Sequence, residues 1–510
     1  MKVNFTRNFI KIYFWQFISI ILNFAALFIV IPHISNDKEL YGVYTLCISL
    51  NIFLSYADLG FIGAGKKFAA EYYAKNKIEK SNRIIGFSLF FLSLFIALFL
   101  IFFLISGFNP DLIFSNLSSL ESFNIASSLF FILAFSTPII LFQQLSNTIF
   151  GIRIESYIPQ RINILGSFIK ILSVFYFFKD GNYDIVGYFL FFQCVNIIVL
   201  FIQFYIIKKK YNIGFLSLLS TIKFNKKIYQ KIKPLAFSSL FLTFSFILYY
   251  EIDNIAINHL FGATDLAVYA VGFTLINFFR SLIGIFYSPF NVRLNHYIGE
   301  NDKNKFKKLY SDLVKYTLPL FTIPAITLYT LAEPIVLSWV GINYYDSIIV
   351  FKLLIIGFFF TFISIPTSLI LHSLLRLKEL YLINIIIPLV YWLGILFTYS
   401  QFGILSFAFF KSVSFFIGAI FYLHIYLKFT SNSIIYFFKK IIAPTIIPIV
   451  FIHYSGAYLV NLLSINNLSS LNLIKISLVL ILVIISALLI QVVIDGDLRL
   501  TLKKIYLDLV

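Results

Sequence analysis

The sequence predicts an all-α integral membrane protein of about fourteen transmembrane helices, and three observations carry that prediction. Of 510 residues, 60% are hydrophobic and only 12% are charged, about half the ~25% charge fraction of an average soluble chain. Apolar runs of the ~20 residues needed to cross a bilayer recur along the whole length. The positive charge between those runs is confined to alternate loops.

In order, the apolar runs fall near 9–32, 42–64, 84–105, 125–149, 162–178 and 185–207, then near 235–259, 267–289, 316–339, 348–373, 380–400 and 404–427, and finally near 441–460 and 473–494. The first opens with MKVNFTRNFIKIYFWQF, basic and then apolar like a secretory signal. Its apolar stretch continues to Pro32 without a small-residue cleavage site, so it reads as an uncleaved first helix. Cytoplasmic loops retain Lys and Arg. One set of alternate loops, with both termini, holds 33 of the 40 basic residues; the other set holds three, Lys38, Lys179 and Lys475. One missed span would invert every later loop, so the split predicts fourteen spans with both termini in the cytoplasm. The net charge of +18 is then a collar against anionic headgroups, and no nucleic-acid partner is implied. Cys47 and Cys194 both fall inside apolar runs, far from any CxxC spacing, and indicate neither a disulfide scaffold nor a metal knuckle.

The chain repeats itself. NDKELYGVYTLCISL follows the first helix and GATDLAVYAVGFTL the seventh. At one offset Tyr44 matches Tyr269, Leu50 matches Leu275, Tyr72 matches Tyr297, Asn76 matches Asn301 and Lys80 matches Lys305. Six helices separate the copies, so both have the same orientation: a parallel repeat, as in transporters that rock two lobes. The expected division is an N-lobe at 1–207, a basic cytoplasmic linker at 208–233, a C-lobe at 234–427, and two further helices with a cytoplasmic tail at 428–510. The linker could lie on the inner membrane face or be an ordinary solvated loop.

LYGVY, the segment YADLGFIGAGKKFAAEYYAKNK, and YEIDNIAINHLFGATDLAVYAVGF resemble the Wzx-type polysaccharide (O-antigen) flippases. These form part of the multidrug/oligosaccharidyl-lipid/polysaccharide exporter (MOP) superfamily. The resemblance in helix order covers nearly the whole chain, and the motif-like matches cover about 60 residues. It implies a V-shaped pair of six-helix lobes plus two extra helices, with no ATPase and no cofactor. It also implies an undecaprenyl-pyrophosphate-linked oligosaccharide as cargo, and membrane lipids, a polysaccharide polymerase and other assembly proteins as partners. Lipid II flippases and drug antiporters share the fold. The former usually carry Arg in the first helix, where this chain has no basic residue past Lys11; the latter usually have twelve helices. A multidrug or small-molecule cation-coupled antiporter is the alternative reading.

The sequence implies a transporter rather than an enzyme. There is no GxxxxGK[ST] loop and no HExxH. GFIGAG at 60–65 ends a membrane helix rather than following a strand, and its small residues suit close helix packing. What remains are ionisable groups at membrane depth, each costing ~2.5–3.5 kcal/mol on insertion scales unless it faces a cavity or a partner. Arg280 lines up with Asn277, Gly284 and Ser288 at helical spacing, Lys170 with Asn163 and Ser167, and Lys411 with Ser414 and Gly418. Lys352 has no such stripe and is expected to snorkel. Among the acids, Glu251 shares a face with Asn254 and Asn258, and Asp58 with Asn51 and Ser55. Asp253 lies about 200° round the helix from Glu251. With the resemblance, Arg280, Lys170 and Lys411 become candidate substrate-binding cations for the pyrophosphate. Glu251 and Asp58 become candidate coupling or ion-pair carboxylates. The plainer reading pairs those cations with those acids to tie helices together.

Overall fold

A computed structural model of the chain describes residues 5–54, 56, 60–114, 117–179, 183–299, 303–374, 376–463 and 470–500. No strand occurs among them. The helices are α1 (Phe5–Ile34), α2 (Lys38–Leu54), α3 (Phe61–Ala74), α4 (Ile78–Phe108), α5 (Leu120–Ile152), α6 (Tyr157–Phe177) and α7 (Ile185–Tyr211). Then come α8 (Phe215–Leu219), α9 (Lys226–Tyr250), α10 (Asp253–Phe261), α11 (Ala263–Gly299), α12 (Lys303–Thr330) and α13 (Ala332–Val340). The series closes with α14 (Ser347–Phe358), α15 (Thr361–Ser373), α16 (Leu377–Phe402), α17 (Leu405–Thr430), α18 (Ile434–Phe437), α19 (Ala443–Leu463) and α20 (Ser470–Ile494).

Among the described residues ten segments are continuous, long and apolar enough to cross a membrane, with α9 and α10 counted as one. Two bent pairs raise the number to twelve: α12 with α13 at 64°, and α14 with α15 at 47°. The first bend has a covalent cause. Pro334, in the first turn of α13, lacks the N–H that would continue the α12 ladder. The two remaining expected spans are α6, diluted by Gln160, Arg161, Asn163 and Lys170, and the 42–64 run, which is divided between α2 and α3. Large apolar side chains stand outward along the spans, among them Phe135, Phe201 and Phe397, each more than two-thirds exposed. In water such surface would drive aggregation; in lipid it is solvated.

Contacts divide the chain into two compact units, Met1–Ala267 and Val268–Val510. In the first, α4 packs on α3 and α5, α6 on α1 and α7, α7 on α5, and α2 on α5 and α10; α9 lies along α3. Local caps start these helices where the sequence offers them: Ser119, Asp184 and Asn225 each accept a backbone N–H of the first turn of α5, α7 and α9. In the second unit, α17 packs on α14, α15 and α16, while the last two helices, α19 and α20, pair with each other and dock on α12.

Two glycines in the motif-like segments sit where an added Cβ would strike the backbone of another helix. A Cβ at Gly42, in LYGVY, would lie 1.9 Å from the carbonyl oxygen of Ala263. Gly60 opens α3 with φ +75° and would meet the Ala236 carbonyl oxygen of α9 at 2.6 Å. Within GFIGAG, Gly65 is pressed against Ser88 of α4, but Gly63 has nothing within 4 Å. Within 208–233, two residues touch α4. Thr221 crosses Gly86 so closely that a Cβ there would sit 2.2 Å from its carbonyl oxygen, and Phe224 packs on Phe87, Phe90, Phe91 and Tyr229.

Candidate functional site

Among the described residues no group of three or more His, Cys, Asp and Glu is placed to hold a metal. The chemistry lies in polar side chains on apolar helices. Lys170 of α6 is half-buried in the first unit. Its ammonium donates to Asn196 Oδ1 of α7 at 2.7 Å and stands 3.6 Å from the Phe192 ring centroid. The Asn196 amide donates in turn to Gln193 Oε1 at 3.0 Å. Two turns along the same pair of helices, Gln203 Nε2 of α7 donates to Asn163 Oδ1 of α6 at 2.9 Å, while Gln203 Oε1 accepts from Ser146 of α5 at 2.7 Å. Among the described residues Lys170 forms no salt bridge, and its ammonium is held by an amide and a ring.

Glu251 is the half-buried C-terminal cap of α9, where the helix breaks before α10. The acid that folding does bury is Asp253, 0% exposed, one of whose carboxylate oxygens accepts the Asn254 N–H at 3.2 Å. Around it Asn254 Nδ2 donates to Ser49 Oγ and Asn258 Nδ2 to the Ile113 carbonyl, both at 2.8 Å. The carbonyl oxygens of both amides are buried without a hydrogen-bond partner. The polar run DN…N was the signal the sequence offered for this cluster. Asp58 lies outside the described residues. An apolar cavity of about 360 Å³ adjoins the cluster, lined by Leu46, Leu50 and Phe53 of α2, Leu98, Phe99 and Phe102 of α4, Ile113 and Ile255.

In the second unit Lys411 of α17 is 1% exposed, its ammonium 4.4 Å from the Phe273 ring, 5.4 Å from Tyr391 and 5.9 Å from Tyr269. Three rings so placed stabilise the charge through their electron-rich faces. Tyr269 and Phe273 lie on α11, and Asn277, Arg280 and Gly284 continue the same face at helical spacing. Burial falls along that stripe: Tyr269 and Phe273 are buried, Arg280 is intermediate, and Gly284 is exposed with nothing within 4 Å of an added Cβ. One guanidinium nitrogen of Arg280, Nη1, and Asn277 Oδ1 are buried without a hydrogen-bond partner. Lys352 of α14 stands 5.8 Å from the Tyr329 ring.

A second basic group in the first unit lies beyond the spans. Arg153 caps α5, bonded to the Ile149 carbonyl at 2.8 Å and flanked by the rings of Tyr73 and Tyr211. Lys66 of α3 approaches Gly151 closely enough that a Cβ there would meet its ammonium at 2.6 Å. Burial lowers the pKa of both cations below their ordinary values. Glu155, which bonds Lys210 at 2.6 Å and the Tyr211 hydroxyl, completes a helix-end clamp.

No protein-family model matches the sequence, and a comparison with curated proteins finds no match. Solved structures do match. The lipid II flippase MurJ in an inward closed conformation aligns with a TM-score of 0.68 at 19% identity, covering 97% of this chain and 100% of that one. An inward-facing multidrug resistance MATE family transporter of the MOP superfamily aligns at 0.61 and 14% identity, covering 81% and 96%. A MOP superfamily transporter from Pyrococcus furiosus aligns at 0.57 and 15%, covering 84% and 96%. At these identities the likeness is one of fold: the chain has the all-helical fold of MOP superfamily transporters.

Proposed function

We propose that the chain is a flippase that moves undecaprenyl-pyrophosphate-linked oligosaccharide units across the bacterial cytoplasmic membrane for O-antigen or capsule synthesis. The observation that carries this reading is the fold match to a lipid II flippase over 97% of this chain, its last two helices included in that near-complete span. The mechanism is alternating access between six-helix lobes at 1–207 and 234–427. Both termini lie in the cytoplasm, and the 33-to-3 asymmetry of basic residues supports that orientation. In that orientation α11 runs inward, so the open end of its polar stripe, at Arg280 and Gly284, faces the side on which the substrate is made. Arg280 receives the pyrophosphate, to which a planar guanidinium donates two parallel hydrogen bonds. Lys170 supplies a second cation. Lys411 contributes only in a conformation where Tyr269, Phe273 and Tyr391 part. Glu251 is retained as a coupling carboxylate at a helix break.

The test is accessibility of labelled lipid-linked oligosaccharide in vesicles reconstituted with the protein. A charge-assisted hydrogen bond is worth ~1.5–3 kcal/mol, so Arg280→Ala slows translocation roughly ten- to hundredfold and Arg280→Lys lies between. Equal membrane abundance must be verified, because removing a buried charge can unfold a bundle. Wild-type protein that exports cationic dyes and ignores the lipid-linked sugar would make the antiporter reading the correct one.

A further inference from the structure

The linker between α7 and α9 touches the spanning helices deeper than a solvated loop reaches. Asn212 ends α7 with φ +54°, a left-handed conformation that asparagine tolerates, and the chain doubles back. The ring centroid of Phe215, in α8, then lies 5.1 Å from that of Phe204 in α7 and 5.4 Å from that of Phe142 in α5. Farther along, Phe224 stands 6.0 Å from Phe90 and 6.5 Å from Phe91 of α4. Phe204 lies three residues inside the apolar run that ends at 207, Phe142 seven inside the run that ends at 149, and Phe90 six inside the run that begins at 84. At 1.5 Å per residue these contacts sit about 5–10 Å inside the apolar edge. Helices that lie in a membrane interface bury their apolar face to about that depth. The linker also has two faces. Ile213 and Leu218 are buried, while Leu216 is 79% exposed and Phe224 53%. Lys208, Lys209, Lys223, Lys226 and Lys227 are exposed around them, and 208–233 holds eight lysines and no acid.

We propose that residues 213–227 form an interfacial strap that docks on anionic phospholipid: Leu216 and Phe224 enter the acyl boundary of the leaflet the linker faces, and Lys223, Lys226 and Lys227 bind its headgroups. That leaflet is the inner one on the orientation proposed above; the depth of insertion does not rest on it. A large apolar side chain left open at this depth is solvated by hydrocarbon, and the flexible stems of nearby lysines carry their ammonium groups out to the phosphates. Both ends of the strap are joined to spanning helices, so its lysines meet the leaflet at high effective concentration. A second copy of the same surface is a poor occupant, because lysines without an acid among them repel their like.

The experiment uses the full chain in lipid nanodiscs, with a fluorophore attached through Leu216→Cys in a cysteine-free background. Phospholipids brominated in the upper acyl chain and aqueous iodide are the two quenchers. With the lysines intact, brominated lipid quenches the label and iodide does not. Brominated phosphatidylglycerol is preferred over brominated phosphatidylcholine by roughly fivefold or more, the preference that one lysine near a charged leaflet supplies. High salt weakens that preference. Combining Lys223→Gln, Lys226→Gln and Lys227→Gln brings it close to one while quenching by brominated lipid persists; the three lysines are exposed, and an unchanged melting temperature establishes that the variant is folded. A label reached by iodide and not by brominated lipid overturns the proposal. So does a label shielded from both quenchers, which means that protein covers the surface, and so does a phosphatidylglycerol preference that survives the triple substitution. Insertion together with a periplasmic signal from a reporter fused after residue 220 keeps the strap and overturns the orientation instead.

Discussion

Two membrane-depth lysines with the same side chain occupy different physical states. Lys411 is sealed under three rings, whereas Lys170 is held by one amide and one ring on a half-open seam. Single cysteines introduced into a cysteine-free background separate them: positions 170 and 280 react with small water-soluble thiol reagents, and position 411 reacts far more slowly. Equal reactivity at 411 would show that the aromatic cage opens readily. At the edge of the membrane Lys315 bonds Asp497 Oδ2 at 2.5 Å and lies 3.8 Å from Asp495. The hydrogen bond from Lys315, followed by its charge, lowers the Asp497 pKa below the usual carboxylate value. A depressed folded-state value stabilises the fold above the unfolded pKa of ~3.9 and loses that contribution as pH falls through the folded value. The carboxylate is well exposed, so screening keeps the effect small. Limited proteolysis should therefore cleave the segment after α20 faster in Asp497→Asn than in wild type at neutral pH, and the difference should vanish in acid below the carboxylate range.

At the scale of helices, the glycines in the motif-like segments are not equivalent. Gly42 faces backbone, which cannot step aside, so Gly42→Ala is expected to destabilise by about 1–3 kcal/mol. Gly65 faces the Ser88 hydroxyl, a side chain that can rotate, so Gly65→Ala costs less; Gly63→Ala, with open space around it, is close to neutral. Thermal unfolding in detergent ranks the three, and a neutral Gly42→Ala would mean that α2 does not approach Ala263 so closely. The linker is likewise an element with a fixed place: the Thr221 backbone over Gly86 and the Phe224 cluster hold it to α4. Phe224→Ala should raise amide exchange in 215–225 while leaving α5 and α7 protected.

For the whole molecule the decisive quantity is the distribution of charge along the chain. Reporter fusions after residues 80, 220, 305 and 505 should report cytoplasm, and fusions near 115, 182 and 468 the outside. A periplasmic signal at 220 would remove the parallel repeat together with the topology. The fold match sets an independent constraint, since MurJ is covered over its full length whereas MATE transporters leave part of this chain unmatched.

The fold class followed from the sequence because the bilayer allows so few solutions. Every backbone group must be satisfied inside its own segment, so an apolar run of sufficient length can only be a helix. The candidate cations were legible for the same reason, since a charge in an apolar run stands out. The state of each charge was not legible. Periodicity assigns a face to a residue but not the element packed against that face, so the enclosure of Lys411 by Tyr269, Phe273 and Tyr391 required elements far apart in the chain to meet. Periodicity also presumes a continuous helix. At the turn Glu251–Ile252 between α9 and α10, Glu251 stays half-buried and the acid that is fully buried is Asp253. Hydrogen-bond direction lies further still from the one-dimensional pattern. Lys170, Gln193 and Asn196 are ordinary polar residues until tertiary packing sets α6 against α7, and only then does the lysine, which cannot accept, dictate which way both amides turn.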